Sequence, residues 1–170
     1  MPYLLDANVF IQATNLHYGL DFCPAFWDWL IEANSANTVF SIEKVGDEVE
    51  AGGDDLSTWA AARGPGFFLK PDVPLLAALG SVSAWATGQS YEPAAVNTFF
   101  QVADYYLVAH ALAHGYTVVT HEVAAPSIKK IKIPNACIGV GVKCMSPYEM
   151  LRIERARFVL ERSAGGSLPF

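Results

Sequence analysis

The chain opens on a short apolar run, Tyr3-Leu4-Leu5, that stops at Asp6, and a run of this length suits a buried strand. The period then changes. Phe26, Trp29, Leu30 and Ala33 recur at helical spacing behind Pro24, which predicts an amphipathic helix over 24–33 with proline in its first turn. Thr38-Val39-Phe40 predicts a second strand, and Ser41 stands where it would cap a helix running to about Glu50. Gly52-Gly53-Asp54-Asp55 breaks that helix, and a further helical stretch runs through Arg63 to Gly64-Pro65-Gly66. Residues Val73 to Gln101 read as helical, with breaks near Gly88 and Pro93. Val102 to His114 reads as a helix closed by Gly115, followed by the β-branched strand Tyr116 to Thr120. Ile131 to Pro134 and Ile138 to Val142 predict two short strands, and Ser146-Pro147-Tyr148-Glu149 opens a last helix with a capping box.

Strands alternating with helices through short connections predict an α/β fold, a central parallel sheet flanked by helices. In such sheets the ligand crevice lies outside the carboxyl ends of the strands, where Asp6 and Thr120-His121-Glu122 would both fall. At 170 residues, 52% hydrophobic and 16% charged, the chain supports one well-buried core, read as a single domain over 1–163 with a loose tail over 164–170. Its apolar stretches end well short of the roughly 18 residues a bilayer span needs, and the N-terminus carries no cleavable signal pattern. The expectation is a cytoplasmic protein with no membrane partner.

Cys23, Cys137 and Cys144 form no CxxC pair and read as buried thiols. His110 and His114 stand at i,i+4 but lack a second pair of zinc ligands, and His121-Glu122 lacks the second histidine of a zincin helix. The net charge of -6 argues against a strongly basic nucleic-acid binder, although a local basic patch can coexist with an acidic total.

The chemistry concentrates in acids. Asp6 ends a core strand, and burying a carboxylate is costly unless a cation, a proton or a hydrogen-bond donor compensates it. In the helix after Ser41, Ile42, Val45 and Val49 define an apolar stripe; Glu48 lies nearest to it among the acids, whereas Asp47 points away. Glu43, Asp47 and Glu50 read as a solvated face. Asp104 shares a stripe with Val108 and Leu112 in the first turn of its helix, where the positive helix end favours the ionised form; the plainer alternative is a charge that only stabilises the helix. Asp6, Glu48, Asp104 and Glu122 would together make an oxygen-lined pocket suited to Mg²⁺ or Mn²⁺, able to activate water against a phosphodiester. Asn8 and Thr120 carry no charge but can orient the carboxylates or the water by hydrogen bonding, with local turn bonding the alternative.

Four segments carry a family resemblance: Leu5-Asp6-Ala7-Asn8-Val9-Phe10, Ser41 through Glu48, Asp104 through Ala111, and Val118-Val119-Thr120-His121-Glu122. In order and spacing the chain resembles the PIN-domain ribonucleases, and more narrowly a toxin-like branch of unassigned PIN-like proteins, over nearly its full length. The resemblance implies a single PIN-like domain acting as a metal-dependent endoribonuclease on RNA, the toxin of a toxin-antitoxin pair with an antitoxin protein as partner. It implies Asp6, Glu48 and Asp104 as the main metal-binding acids. Glu122 departs from the family, which more often has Asp at that position.

With RNA as substrate, Lys129, Lys130 and Lys132 lie where they would meet backbone phosphates, against the alternative of a solvated loop. Arg152, Arg155, Arg157 and Arg162, interleaved with Glu154 and Glu161, read as intrahelical pairing. Phe99, Phe100, Tyr105 and Tyr106 read as packing before base stacking. Trp27, Trp59 and Trp85 look exposed, which makes a homodimer an expectation. The rival reading is a catalytically weakened PIN-like module that binds RNA or protein. A phosphoryl-aspartate receiver would need a lone acceptor Asp after Val39-Phe40, and there is none.

Overall fold

Sealed on both faces, β1 (Tyr3–Leu5) is the middle strand of a five-stranded, wholly parallel sheet ordered β3-β2-β1-β4-β5. The computed structural model describes residues 1–160; the predicted tail 164–170 and the last three residues of the predicted domain, Glu161, Arg162 and Ser163, lie outside them. Strand β2 is Val39–Ile42, β3 is Phe68–Leu69, β4 is Thr117–Val119 and β5 is Cys144–Met145. Tyr3 pairs with Val39 on one side and Thr117 on the other, and Leu5 pairs with Val119. The α/β class and the parallel sheet agree with the alternation in the sequence.

Parallel neighbours require crossovers, and helices supply them. Helices α1 (Ala7–Gln12) and α2 (Pro24–Ser35) join β1 to β2, while α3 (Glu43–Glu50) and α4 (Asp55–Ala61) join β2 to β3. Helices α5 (Val73–Gly88), α6 (Pro93–Gln101) and α7 (Ala103–His114) lead back to β4, α8 (Ile133–Val140) joins β4 to β5, and α9 (Pro147–Ile153) follows. From β1 the chain moves outward to β2 and β3, returns beside β1 as β4, and then moves outward the other way. Connections therefore diverge between β1 and β4, and a crevice opens at the carboxyl ends of these two strands.

Local signals account for most boundaries. Pro24 starts α2, Asp72 caps α5 by accepting from the Leu75 N–H at 3.3 Å, and Ser146 and Glu149 close a reciprocal capping box at α9. Gly115 ends α7 at φ 70°, in the left-handed region that glycine enters without a Cβ clash.

The stretch after Asp6, which carries no element in the sequence reading, forms α1, prolonged by a wide π turn over Ala13–His17 in which the Tyr18 N–H donates to the Ala13 carbonyl at 2.7 Å. Three expectations are corrected. Ser41 caps nothing: it lies inside β2, fully buried, its hydroxyl donating to the Leu5 carbonyl at 2.6 Å. The two strands expected over 131–134 and 138–142 are replaced by α8, because Pro134 sits in the first turn, where no amide donor is needed, and Ile133, Ala136 and Cys137 form one buried face. The arginine-rich segment is not one paired helix; α9 stops at Ile153, Arg155 has φ 54°, and no Arg–Glu ion pair forms among the described residues.

The tryptophans also differ from expectation. Trp27 is buried, donates Nε1–H to the Tyr18 carbonyl at 2.7 Å, and meets Phe26 and Trp59 edge-on. Trp59 and Trp85 are half-buried, Trp85 lying directly against Gly139. Cys137 is buried as expected, whereas Cys23 and Cys144 are half-buried. Trp27→Ala should cost about 3–5 kcal/mol in urea unfolding with an unchanged m-value, the range for emptying a buried aromatic site; a loss under about 1 kcal/mol would put the ring on the surface.

Candidate active site

A cleft of about 650 Å³ opens at the carboxyl ends of β1 and β4. Asp6 and Asn8 line its floor, Lys44, Asp47 and Glu48 come from α3, Thr98 and Gln101 from α6, Asp104 from the start of α7, and Glu122 and Lys130 from the segment after β4. The four acids singled out in the sequence thus face one space. Asp47, whose helical phase turns it from the apolar stripe, borders the cleft as well, because an open cleft admits exposed positions that a core stripe does not. Lys44 is also there, and no sequence pattern pointed to it.

Asp6 is placed by its backbone. Its N–H donates to the Val119 carbonyl at 2.9 Å, which continues the β1–β4 ladder and leaves the side chain at the divergence of the two connections. Asp6 is 5% exposed, and its carboxylate is met by the Thr120 hydroxyl, which donates to Oδ2 at 2.8 Å. Thr120 Oγ1 in turn accepts from Asn8 Nδ2 at 3.1 Å and from the Glu122 N–H at 3.0 Å. With both lone pairs engaged, the hydroxyl has one proton to give, and Asp6 receives it. Asn8 Oδ1 accepts from the His121 N–H at 3.1 Å, tying α1 to the end of β4.

Two carboxyls are held far above their ordinary range. Burial, then the nearby charge of Asp104, raises Asp6 to about 7, against the lowering effect of the Thr120 hydroxyl. Asp104 is raised to about 6 by burial and then by Glu122, with Lys130 opposing and Glu48 adding to the rise. The helix end expected to keep Asp104 ionised is therefore outweighed by burial and like charge.

Among the described residues no group of three His, Cys, Asp or Glu side chains closes into a cage that would hold an ion alone. The donor set nonetheless fits a hard cation. It consists of oxygen ligands on opposing walls, two of them carrying charge they hold reluctantly, and Mg²⁺ typically binds through one or two carboxylates while keeping several waters.

Glu122 has structural work of its own. Its Oε2 accepts from the Ile133 N–H at 2.9 Å, at the start of α8, and its Oε1 lies 3.4 Å from Lys130 Nζ. Of the three lysines, Lys130 reaches the cleft, whereas Lys129 and Lys132 are not among its lining residues. His110 and His114 stand elsewhere: His114 Nε2 pairs with Asp72 at 2.8 Å, and His110 is buried in α7.

A family model described as "Domain of unknown function (DUF4411)" matches residues 3–158. The comparison with curated proteins gives no match. Among solved structures, VapBC2 from Rickettsia felis bound to a DNA fragment from their promoter is similar at TM-score 0.52 and 15% identity, covering 86% of this chain and 98% of that one. FitAcB from Neisseria gonorrhoeae is similar at TM-score 0.51 and 19% identity, over 86% and 98%. FitAB bound to IR36 DNA is similar at TM-score 0.53 and 20% identity, over 86% and 95%. At these identities the likeness carries the fold, which is PIN-like.

The raised carboxyls set a pH dependence. A folded-state pKa above the unfolded value means that the folded protein loses stability as pH rises from about 4 to about 7, and the full penalty stands above that window. At about 1.4 kcal/mol per unit, relief of the penalty by Asp6→Asn should stabilise the metal-free protein by about 2–4 kcal/mol at pH 7.5, raising its Tm by several degrees. Near pH 4 the two proteins should melt alike. Calorimetry across this range that shows no convergence at low pH would contradict the assignment.

Proposed function

This chain belongs to the family described as "Domain of unknown function (DUF4411)", and we propose that it is a metal-dependent endoribonuclease, the toxin of a toxin-antitoxin pair. The observation that carries the reading is that Asp6, Glu48, Asp104 and Glu122 line one cleft at the carboxyl ends of β1 and β4, where burial and mutual charge raise Asp6 and Asp104 above the ordinary carboxylate range. Such a pair costs stability unless a cation offsets it. Asp6 and Asp104 would hold Mg²⁺ or Mn²⁺, with Glu48 and Glu122 facing the same space and water completing the shell. When bound, the ion supplies Lewis acidity, lowering the pKa of water and offsetting charge on a phosphodiester.

The residues of the chain supply orientation. Thr120 fixes one oxygen of Asp6 at the edge of the cleft, and Asn8 locks Thr120 in that rotamer. Asp104 and Glu48, on different helices, place negative charge on two sides of the space where a phosphate must enter. Glu122, anchored to Ile133, adds charge at the third side.

The PIN-like fold shared with VapBC2 and FitAB, which were solved bound to DNA, supports a toxin that works with an antitoxin partner. No helix among the described residues is long and apolar enough to cross a membrane, and cytoplasmic RNA is the substrate proposed. A second reading, a weakened module that binds RNA or protein without cutting, draws support from Glu122, whose two oxygens both have partners within the chain.

Purified protein incubated with total RNA and Mg²⁺ or Mn²⁺ should cleave it, and a chelator should stop it. Asp6→Asn and Asp104→Asn should each lose about 100-fold or more, and Thr120→Val about 10–100-fold, the range for removing a group that orients a metal ligand. Equal cleavage by wild type and the Asp variants would sink the mechanism; RNA bound but left intact would favour the binding module.

A further inference from the structure

Five acids line the cleft, Asp6, Asp47, Glu48, Asp104 and Glu122, and such a surface repels a polyanion unless cations stand among them. Two do. From Lys44 on the α3 wall and Lys130 on the wall after β4, we infer a clamp for two backbone phosphates of a single-stranded nucleic acid, one on each side of the bond brought to the acids. The inference rests on the nuclease reading for the bond between them, but not for the binding itself.

Lys44 is available to an anion. Its Nζ lies 4.2 Å from the centroid of the Tyr106 ring, and among the described residues no carboxylate comes within ion-pair distance of it. A cation held over an aromatic face keeps its direction while retaining hydrogen-bonding capacity for a phosphate oxygen. Tyr106 lies two residues after Asp104 on α7, so the same helix carries the acid and the seat of the lysine.

Lys130 is exchangeable. Its bond to Glu122 is long at 3.4 Å, and its side chain is 61% exposed. The segment that carries it keeps its shape by other bonds: Ala125 and Asn135 exchange two hydrogen bonds of 3.0 Å, Glu122 accepts from Ile133, and the Glu92 N–H donates to the Ile128 carbonyl at 3.0 Å. Lys130 can therefore leave Glu122 for a phosphate without unfolding its loop. Asp104 lines the same cleft as both lysines.

The cleft's volume has the scale of a small-ligand pocket. A basic groove that tracks one backbone is the usual arrangement for single strands. Phosphate contacts alone do not distinguish RNA from DNA.

Fluorescence anisotropy with a labelled strand of about 12 nucleotides, as RNA and as DNA of the same sequence, tests the clamp in Ca²⁺ across a salt series. Lys44→Gln and Lys130→Gln should each weaken binding several-fold, and each should make the slope of log K against log salt shallower by about 0.7. Lys44→Arg and Lys130→Arg should restore both, and Lys143→Gln, at the opposite end of the sheet, should match wild type. Lys130→Gln should also bind Mn²⁺ more tightly in calorimetry, since an internal cation no longer competes for Glu122. Equal binding of RNA and DNA supports the clamp, and tighter RNA binding supports it with an added 2′-hydroxyl contact. An unchanged affinity and salt slope in the double Gln variant overturns the clamp, as does a duplex bound as tightly as a single strand. Wild type that binds strands with this salt dependence but cuts none keeps the clamp and removes the nuclease reading; RNA cleavage unaffected in the double variant removes the clamp alone.

Discussion

The hydrogen bond from Thr120 to Asp6 joins the two strands between which the sheet reverses its direction of growth. Everything chemical in this molecule is arranged around it. Because β1 and β4 are adjacent and parallel, their carboxyl ends finish at the same height, and the residues that follow them must share a space. Asp6 is driven into that space by a ladder bond to Val119, and Thr120, whose lone pairs are taken by Asn8 and Glu122, gives its one proton to the carboxylate.

A fold that presses Asp6 and Asp104 into one partly buried cleft accepts an electrostatic penalty. That penalty is small beside the burial of β1, β2 and β4 and of the aromatic group formed by Phe10, Trp27, Trp59, Phe67 and Phe68. Strain of this kind persists where surrounding structure over-determines it, and here the parallel register does so.

Around the acids the charges alternate. Glu122 serves both as a member of the acid group and as the tether of α8, and Lys130 and Lys44 border the cleft from different walls. An acidic protein can engage an anionic strand when its cations are local and its acids are matched by a bound ion, so the net charge is a poor guide to the partner.

The α/β class, the parallel sheet, α2, α5 to α7 and the capped α9 were legible in the chain because period, proline, glycine and capping residues act within a few positions. So were Asp6 and Asp104, each at the end or start of a strongly patterned element. Ser41 and α8 were misread because a serine before a helix and a β-branched run look alike in sequence whether or not a neighbouring strand claims them. Trp27 looked exposed until Tyr18, Phe26 and Trp59, from separate turns of the chain, enclosed it. Asp47 and Lys44 belonged to no stripe, and their place in the cleft comes from how α3 lies beside α1 and α7. Local pattern determined which elements form and where acids end them; only packing decided which charges face one another, because strand order and helix placement are set by contacts between residues distant along the chain.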